Sequence, residues 1–391
     1  MTHVYFDHNA TTPLDERVLA AMLPFLKDQH GNASSRHEFG TVARKAVDDA
    51  REQVAALVGV QPVQVIFTSG GTEANNLLIK GAAGYLKPAQ IAVSAIEHPC
   101  VAKPAQELVR QSWTLRKLAV TRQGAIDLTD VDAALATPTG IVSVMLANNE
   151  TGVIQDVAAV GERARRAKAV MHTDAVQALG KIAVDFNALN VSAMTLSAHK
   201  IYGPKGAGAL VVDKRLELRP LLSGGGHERG ARSGTENVPA IVGFGAACEL
   251  AAGRMNELSK HVQSLRERLE RGLTGMGAVI FGAGFGANTA AGATATRVPN
   301  TSYFALQGID GEALVIELDK AGYAVAAGAA CSSTSSEPSA TLLAMGVAPA
   351  VARGAVRFSL GAGNTAEQVD GFLTALAAVA RRLRRLTAVA V

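Results

Sequence analysis

Cysteine is scarce in this chain: three residues of 391, Cys100, Cys248 and Cys331, with no C-x-x-C pair among them. An odd, widely spaced set suggests neither a disulfide framework nor a zinc site. No apolar run reaches the ~18 residues needed to span a bilayer. The first residues, MTHVYFDHNATTPLDERV, lack the basic start and apolar core of a signal peptide, so a cytoplasmic location is the default expectation. Charge of one sign is not concentrated either. The net charge is +4, and the basic residues are dispersed apart from Arg381-Arg382-Leu383-Arg384-Arg385. That cluster reads as a solvated helix face rather than a nucleic-acid site. Aromatics make up 4% of the chain against 48% hydrophobic residues overall. An Ala- and Gly-rich core of that size suits an α/β protein of one large or two moderate domains.

What is present is an alternation of strands and helices. Helical patterns over Leu14–Leu26 and Thr41–Val58 precede a strand, Val63–Thr68, which runs straight into Ser69-Gly70-Gly71-Thr72 and an apolar helix. Strand, glycine turn and helix N-terminus present backbone N–H groups to an anion, although the motif is neither a G-x-G-x-x-G nor a P-loop. Three more strands follow, Ile91–Ser94, Ile141–Leu146 and Ala169–Thr173. Each ends in polar residues: Glu97-His98-Pro99, Asn148-Asn149-Glu150, and Asp174-Ala175-Val176-Gln177. Helices are expected over Pro104–Gln111 and Val157–Lys168. This alternation implies a mostly parallel sheet with right-handed crossovers, whose ligand lies beyond the carboxyl ends of the strands.

The stretch Ser192–Leu210 gathers the chemistry. A buried strand, Val191–Leu196, ends in Ser197-Ala198-His199-Lys200. Gly203, Pro204, Gly206 and Gly208 then turn the chain into a second strand, Ala209–Val212. Most lysines are surface residues, and Lys200 is catalytic only if the rest of the chain builds its surroundings. The strand-end rule supplies them, bringing Gly71, Thr72, His98, Asn149, Asp174, Gln177, His199 and Lys200 to one edge. Beyond it lie a Gly-rich charged loop, Ser223–Asn237, and a largely helical stretch, Val238–Leu273, expected to hold the hinge between domains. The segment around Phe281–Asn300 is expected to be irregular. Later, Arg357 stands in an apolar strand, suited to bidentate carboxylate binding. Cys331 lies among small residues, Ala326–Ser339, where a loop is expected. A terminal helix covers Ala366–Leu386.

A strand-end lysine, an aspartate before it, a phosphate-type helix N-terminus and a distal arginine fit pyridoxal phosphate (PLP), with the aspartate keeping the ring an electron sink. The motifs Asp-His-Asn-Ala-Thr-Thr-Pro (7–13), Thr-Ser-Gly-Gly-Thr-Glu-Ala-Asn (68–75), Glu-His-Pro (97–99), Asn-Asn-Glu-Thr-Gly (148–152), Asp-Ala-Val-Gln (174–177), Ser-Ala-His-Lys-Ile-Tyr-Gly-Pro-Lys-Gly (197–206), Gly-Gly-Gly-His-Glu-Arg-Gly (224–230) and Val-Arg-Phe-Ser-Leu-Gly (356–361) resemble cysteine desulfurases of the NifS/IscS type. The likeness runs nearly end to end.

The resemblance implies an α/β, PLP-dependent transferase of fold-type I in the class V aminotransferase group, working as a homodimer. Residues 16–254 would form a large domain with a mostly parallel sheet. Residues 1–15 with 255–391 would form a smaller α/β domain carrying the cysteine loop. Lys200 would bind the cofactor covalently and shuttle the proton, and Asp174 would pair with the ring nitrogen. His98 would stack on the ring and act as acid and base. Asn149 and Gln177 would reach the phenolic oxygen and the substrate. Gly71, Thr72, Ser197 and His199 would hold the phosphate, joined by Thr235 of the other subunit. Arg357, with Asn32, would hold the carboxylate of L-cysteine. Cys331 would take its sulfur as a persulfide, release alanine and pass the sulfur to an acceptor such as an iron–sulfur scaffold protein. No metal, nucleic acid or membrane is implied.

Two departures stand out: Cys100 follows the Glu-His-Pro motif where a small non-thiol residue is expected, and residues 281–296 look inserted or diverged. A selenocysteine lyase or aminotransferase of the same fold is the alternative, and a small-residue loop around Cys331 argues against transamination. A nucleic-acid-binding or scaffold protein that kept only the fold is a further alternative. The dispersed charge and the Asp174–Lys200 pair weigh against it.

Overall fold

The computed structural model describes residues 3–282, 296–328 and 337–389, with side chains to 385. In chain order these form β1 (Val4–Tyr5), α1 (Glu16–Lys27), α2 (Glu38–Leu57), β2 (Val65–Thr68), α3 (Gly71–Ala83), β3 (Gln90–Ser94), α4 (Pro99–Leu108), β4 (Thr114–Leu118), α5 (Leu128–Leu135), β5 (Thr139–Ser143), α6 (Val157–Arg166), β6 (Val170–Asp174), β7 (Ala193–Ser197) and β8 (Gly208–Val212). There follow α7 (Val238–Gly275), β9 (Val279–Phe281), β10 (Thr301–Ala305), α8 (Gly311–Lys320), β11 (Tyr323–Ala324), β12 (Ala326–Ala327), α9 (Ala340–Ala344), α10 (Pro349–Arg353), β13 (Ala355–Ser359) and α11 (Ala366–Val389).

The large sheet has the order β2-β8-β7-β6-β5-β3-β4. Every position of β2, β7 and β8 is buried, as expected of strands covered by helices on both faces. All neighbours are parallel except β8, which is antiparallel to both β2 and β7. The glycine turn before β8 makes that hairpin. It also brings β8 hard against the β2–α3 turn, because a Cβ on Gly208 would lie 2.6 Å from the Gly70 Cα. The other strands carry their polar carboxyl ends to the same edge.

A second sheet, β12-β13-β10-β9, is antiparallel throughout. Beside it β1 pairs with β11 in parallel, and Asp7 bridges to Ser359. Its core includes Phe6, Phe304, Phe358 and Phe372, each fully buried. The N-terminus is thereby folded into the chain's last third.

Several elements differ from what the sequence predicts. β4 and α5 were not expected. β4 is an edge strand, Thr-Leu-Arg-Lys-Leu, mostly exposed, and charges on an edge strand blunt further pairing while hiding it from a search for apolar runs. α4 begins five residues before the expected Pro104, because His98 caps it, its Nδ1 accepting from Cys100 N at 3.2 Å, and Pro99 occupies the first turn. The stretch expected to hold a hinge is one continuous helix, α7, about 57 Å long at the α-helical rise. Its glycines do not break it; they let it pack closely, since a Cβ at Gly243 would meet Met22 Sδ at 2.6 Å and one at Gly245 would meet Ala50 Cα at 2.7 Å. By length and composition alone α7 could cross a membrane, but half of its apolar window is buried within the protein, against α1 and α2. It is a core helix. Of the stretch expected to be irregular, Phe281 ends β9 and Arg297 bridges to Val153; residues 283–295 lie outside the described residues.

A buried ion pair fastens the Gly-rich loop after β8 to this framework. Arg51 of α2 meets Glu228 through two hydrogen bonds of 2.7 and 2.9 Å, and Glu228 Oε2 also accepts from Phe67 N at 2.9 Å. Removing one partner of a buried pair strands the other charge, at a cost of about 3–5 kcal/mol, whereas apolar replacement of both is often near neutral. Arg51→Met should therefore lower stability by about that amount, measured by urea unfolding. Arg51→Met with Glu228→Leu should recover part of the loss, falling short by about 1–3 kcal/mol because the Phe67 N–H is left without its acceptor. A double variant as unstable as the single one would contradict this account.

Candidate active site

The polar ends of the parallel strands converge on a turn from the other end of the sequence. Asp174 closes β6 and is 6% exposed. Its Oδ2 accepts from Asn75 Nδ2 of α3 at 2.7 Å and its Oδ1 from Val176 N at 3.0 Å. Lys200 follows β7 in a short 3-10 turn, Ala198–Lys200. Its Nζ donates to the carbonyl oxygens of Asn9 and, at 2.7 Å, Ala10. Gln177 Nε2 donates to the same Asn9 carbonyl at 2.9 Å. The Asn9 side chain reaches further still, donating to Asn149 O (3.2 Å) and Thr301 Oγ1 (2.8 Å). Asn149 O in turn accepts from Arg357 Nη1 at 3.2 Å, and Arg357 Nη2 donates to Asp7 Oδ1 at 2.7 Å.

The electrostatics follow from burial. Lys181 donates to Gln177 Oε1 at 2.7 Å and Asn9 Oδ1 at 2.9 Å, both neutral. Burial, with Lys200 and Arg357 nearby, holds it well below an ordinary lysine. Burial also lowers His98, opposed by Asp174 and reinforced by Lys200 and Arg357. A neutral imidazole at that position can accept a proton. His199, whose Nδ1 lies 3.1 Å from Thr11 Oγ1, is lowered to about 4 by burial, with Lys200 and Lys205 adding to the effect. Cys100 sits between Asn75, whose Nδ2 is 3.0 Å from its sulfur, and the His98 ring. Burial first, then Asp174, pushes its thiol up to about 12, so it stays protonated at neutral pH.

Other expected residues fall into two groups. Gly71 opens α3 with its α-carbon facing the ends of β6 and β7: a Cβ there would meet Val176 Cγ2 at 3.1 Å and Ser197 Cβ at 3.8 Å. Thr72 is the next residue of that turn, with its hydroxyl beside the Cys100 sulfur. Ser197 is 1% exposed and its Oγ has no hydrogen-bond partner among the described residues. Asn32 and Thr235, by contrast, are exposed. Asn32 Oδ1 accepts from Ser34 N at 2.8 Å, within its own turn. Cys331 lies outside the described residues. The sequence reading assigned no role to Asn9, Asn75 or Lys181. Asn9 lies in a quoted motif, and Lys181 stands four residues after Gln177, which was the available signal.

An open, mostly parallel sheet whose strand ends gather a lysine, an aspartate, a glycine-led helix N-terminus and a buried arginine defines an α/β enzyme of group-transfer chemistry. The aminotransferase class-V family model matches residues 4–372. "Cysteine desulfurase 2" of Trichormus variabilis is 41% identical over 99% of this chain and 95% of its own length. "Cysteine desulfurase IscS" of Anaeromyxobacter dehalogenans is 43% identical over 98% and 94%. Among solved structures, a NifS-like protein superposes with a TM-score of 0.90 at 36% identity, covering 98% of this chain and 100% of its own. SspA in complex with cysteine gives 0.79 at 30% identity, covering 91% and 98%. The chain belongs to the aminotransferase class-V family and, within it, to the PLP-dependent cysteine desulfurases of the NifS/IscS type.

Glu97 yields a pH prediction. Its Oε1 accepts from Ser94 Oγ at 2.8 Å and Met145 N at 2.6 Å, while Oε2 has no partner among the described residues. Burial, with a smaller push from Asp174, raises its carboxyl from 4.5 to about 8. Between those values the folded chain holds a proton the unfolded chain has released, so Glu97 makes stability fall as pH rises through that window. Glu97→Gln should remove this slope, at most about 1.4 kcal/mol per pH unit, when urea midpoints are compared between about pH 5 and 8. An unchanged slope would mean that Glu97 is ionised in the folded chain.

Proposed function

We propose that this chain takes sulfur from L-cysteine onto Cys331, releasing L-alanine, with PLP held between the strand ends and the Asn9 turn. The observation that carries this reading is that the Asn9 turn holds Lys200 directly and meets Arg357 at the Asn149 carbonyl, while Asp174, braced by Asn75, lies near enough to act with both on His98. The residues fit the cofactor. Asp174 is a carboxylate braced by Asn75, suited to a pyridinium nitrogen. Ser197 Oγ is buried without a partner among the described residues beside the glycine-led start of α3, which suits a phosphate. Gly71, Thr72, Ser197 and His199 would hold that phosphate, and Thr235 would complete it from a second copy, since its own fold leaves it exposed. His98 would cover the ring, with Asn149 and Gln177 at its oxygen and the substrate. When bound, PLP supplies the electron sink.

The chain's own residues do the rest. Arg357, buried to 5% exposure, offers a planar fork to the substrate carboxylate; Asn32 is proposed as its helper. Lys200 carries the cofactor and moves the substrate proton. The Cys331 thiol loses its proton to a base, His98 or the substrate amine, and attacks the substrate sulfur. The carbon–sulfur bond breaks, the carbon takes up a proton and leaves as alanine, and Cys331 keeps the sulfur as a persulfide. A free thiol, with a pKa of about 8.5, is only slightly ionised at neutral pH. That is why a neutral His98 near the site matters.

We further propose a homodimer of two-domain subunits in the cytoplasm, residues 16–254 forming the large domain and 1–15 with 255–391 the small one. What supports the division is that apolar side chains of α7 up to Ala251 join one core and those from Val262 onward another. The sulfur acceptor is proposed to be a protein such as an iron–sulfur scaffold, in line with the IscS name of one relative.

Purified protein given L-cysteine should release alanine and, with a reductant, sulfide. Mass spectrometry after one turnover should find one added sulfur on the Cys331 peptide. Cys331→Ser should abolish turnover. Lys200→Ala should retain PLP yet lose roughly 10²–10⁴ in rate. Sulfur found on Cys100, or activity in Cys331→Ser, would defeat the assignment.

Subunit sharing has its own test. Thr235→Val should weaken PLP retention by about 1.5–3 kcal/mol, the worth of one hydrogen bond to a charged group, as read by equilibrium dialysis. An active, PLP-saturated monomer in sedimentation would contradict it.

A further inference from the structure

A buried polar cluster beside Arg357 takes no part in the chemistry above. After β5, Asn148 Oδ1 accepts from Glu150 N (3.0 Å), Thr151 N (2.9 Å) and Thr151 Oγ1 (3.1 Å). That turn fixes the backbone from which the Glu150 side chain projects. Its Oε1 accepts from Thr341 Oγ1 at 3.0 Å and its Oε2 from Ser339 Oγ. Ser339 also caps α9, its Oγ accepting from Leu342 N at 3.1 Å. Ser339 and Thr341 are 3% and 4% exposed and lie just after the Cys331 segment.

The other end of that segment reaches the same cluster. Gly328 N donates to Ala355 O at 3.0 Å, and a Cβ on Gly328 would lie 2.1 Å from the Tyr303 hydroxyl. Tyr303 is fully buried, stands opposite Arg357 in the β10–β13 pairing, and has Glu150 and Ser339 as polar neighbours. Burial raises the Glu150 carboxyl, and the Ser339 and Thr341 hydroxyls oppose that rise.

We propose that Glu150 is a positioning residue for sulfur transfer, tying Ser339 and Thr341, which follow the Cys331 segment, to the corner that holds Arg357. The inference rests on Cys331 being the thiol that accepts sulfur. A chain fixed just beyond a reacting residue loses less freedom when the reacting groups meet. Asn149, whose carbonyl holds Arg357, is the neighbour of Glu150 in sequence. One turn therefore sets both the carboxylate site and the tether of the thiol.

The test uses the PLP-loaded enzyme and reads kcat, KM and the single-turnover rate of sulfur appearing on the Cys331 peptide. Glu150→Ala should lower kcat and the single-turnover rate by roughly tenfold or more, while KM stays within about twofold, because a misplaced reacting group costs rate rather than binding. Glu150→Gln keeps an oxygen acceptor for the hydroxyls and should retain most of the rate. Thr341→Val should slow the enzyme by itself, yet add nothing to Glu150→Ala, since partners in one contact are not additive. A wild-type kcat in Glu150→Ala, Gln as slow as Ala, or independent effects of the Glu150 and Thr341 changes would overturn the proposal. If Glu150→Ala fails to bind PLP, Thr341→Val and Glu150→Gln decide by the same readouts. Turnover in Cys331→Ser would instead remove the reading on which the proposal rests.

Discussion

Asn9 is the joint on which the site depends. Its carbonyl oxygen accepts from Lys200 and Gln177, its Oδ1 from Lys181 and Asn300, and its Nδ2 donates to Asn149 O and Thr301. It is 1% exposed, so each bond forms where water competes little and a lost partner is costly. Through it, a turn near the N-terminus fastens the carboxyl ends of the large sheet to the antiparallel sheet that carries Arg357. A network this closely satisfied has few alternative arrangements, which is what precise placement of a lysine amine against an arginine fork requires.

The same crowding sets the electrostatics. Lys181, Lys200 and Arg357 lie close enough to influence one another, with Asp7 and Asp174 as the nearby carboxylates. A buried cation is tolerated when it is paired, hydrogen-bonded or neutralised, and Lys181 is held toward the neutral amine. An excess of positive potential at a strand-end edge favours anionic groups such as a carboxylate or phosphate. Burial, with a smaller push from Lys200 and Arg357 and against Asp174, lowers His98 and favours the neutral imidazole that can accept a proton. Cys100 illustrates the reverse case: burial and Asp174 hold its thiol protonated, so closeness to the site does not make it reactive.

Much of this was legible in the sequence. Lys200, Asp174, His98 and Gln177 follow short apolar strands, and the strand-end rule for parallel sheets groups them without knowledge of any distance. Arg357 was visible as a charge in an apolar strand. The edge strand β4 was hidden because it is mostly exposed and charged, and the unbroken course of α7 because its glycines resemble a hinge in composition. Those glycines are contact points with α1 and α2, a fact that depends on neighbours roughly 200 residues away. Asn9, Asn75, Lys181 and Glu150 escaped for the same reason. Their chemistry lies in their partners, and Lys200 and Gln177 stand 191 and 168 residues from Asn9 in the chain.

The sequence by itself determined the strand–helix alternation, the polar residues at the strand ends and the motifs that place the chain in its family. These are local properties, since periodicity and turn chemistry act over a few residues. Only the tertiary structure decided which of those residues meet. It folded the N-terminal strand beside β11, set Asn9 between Lys200 and Asn149, and gathered Glu150 with Ser339 and Thr341. Such pairings depend on the packing of two cores along a shared helix. No local rule encodes them, because their free energy comes from burying groups that are distant in the chain until the whole fold has formed.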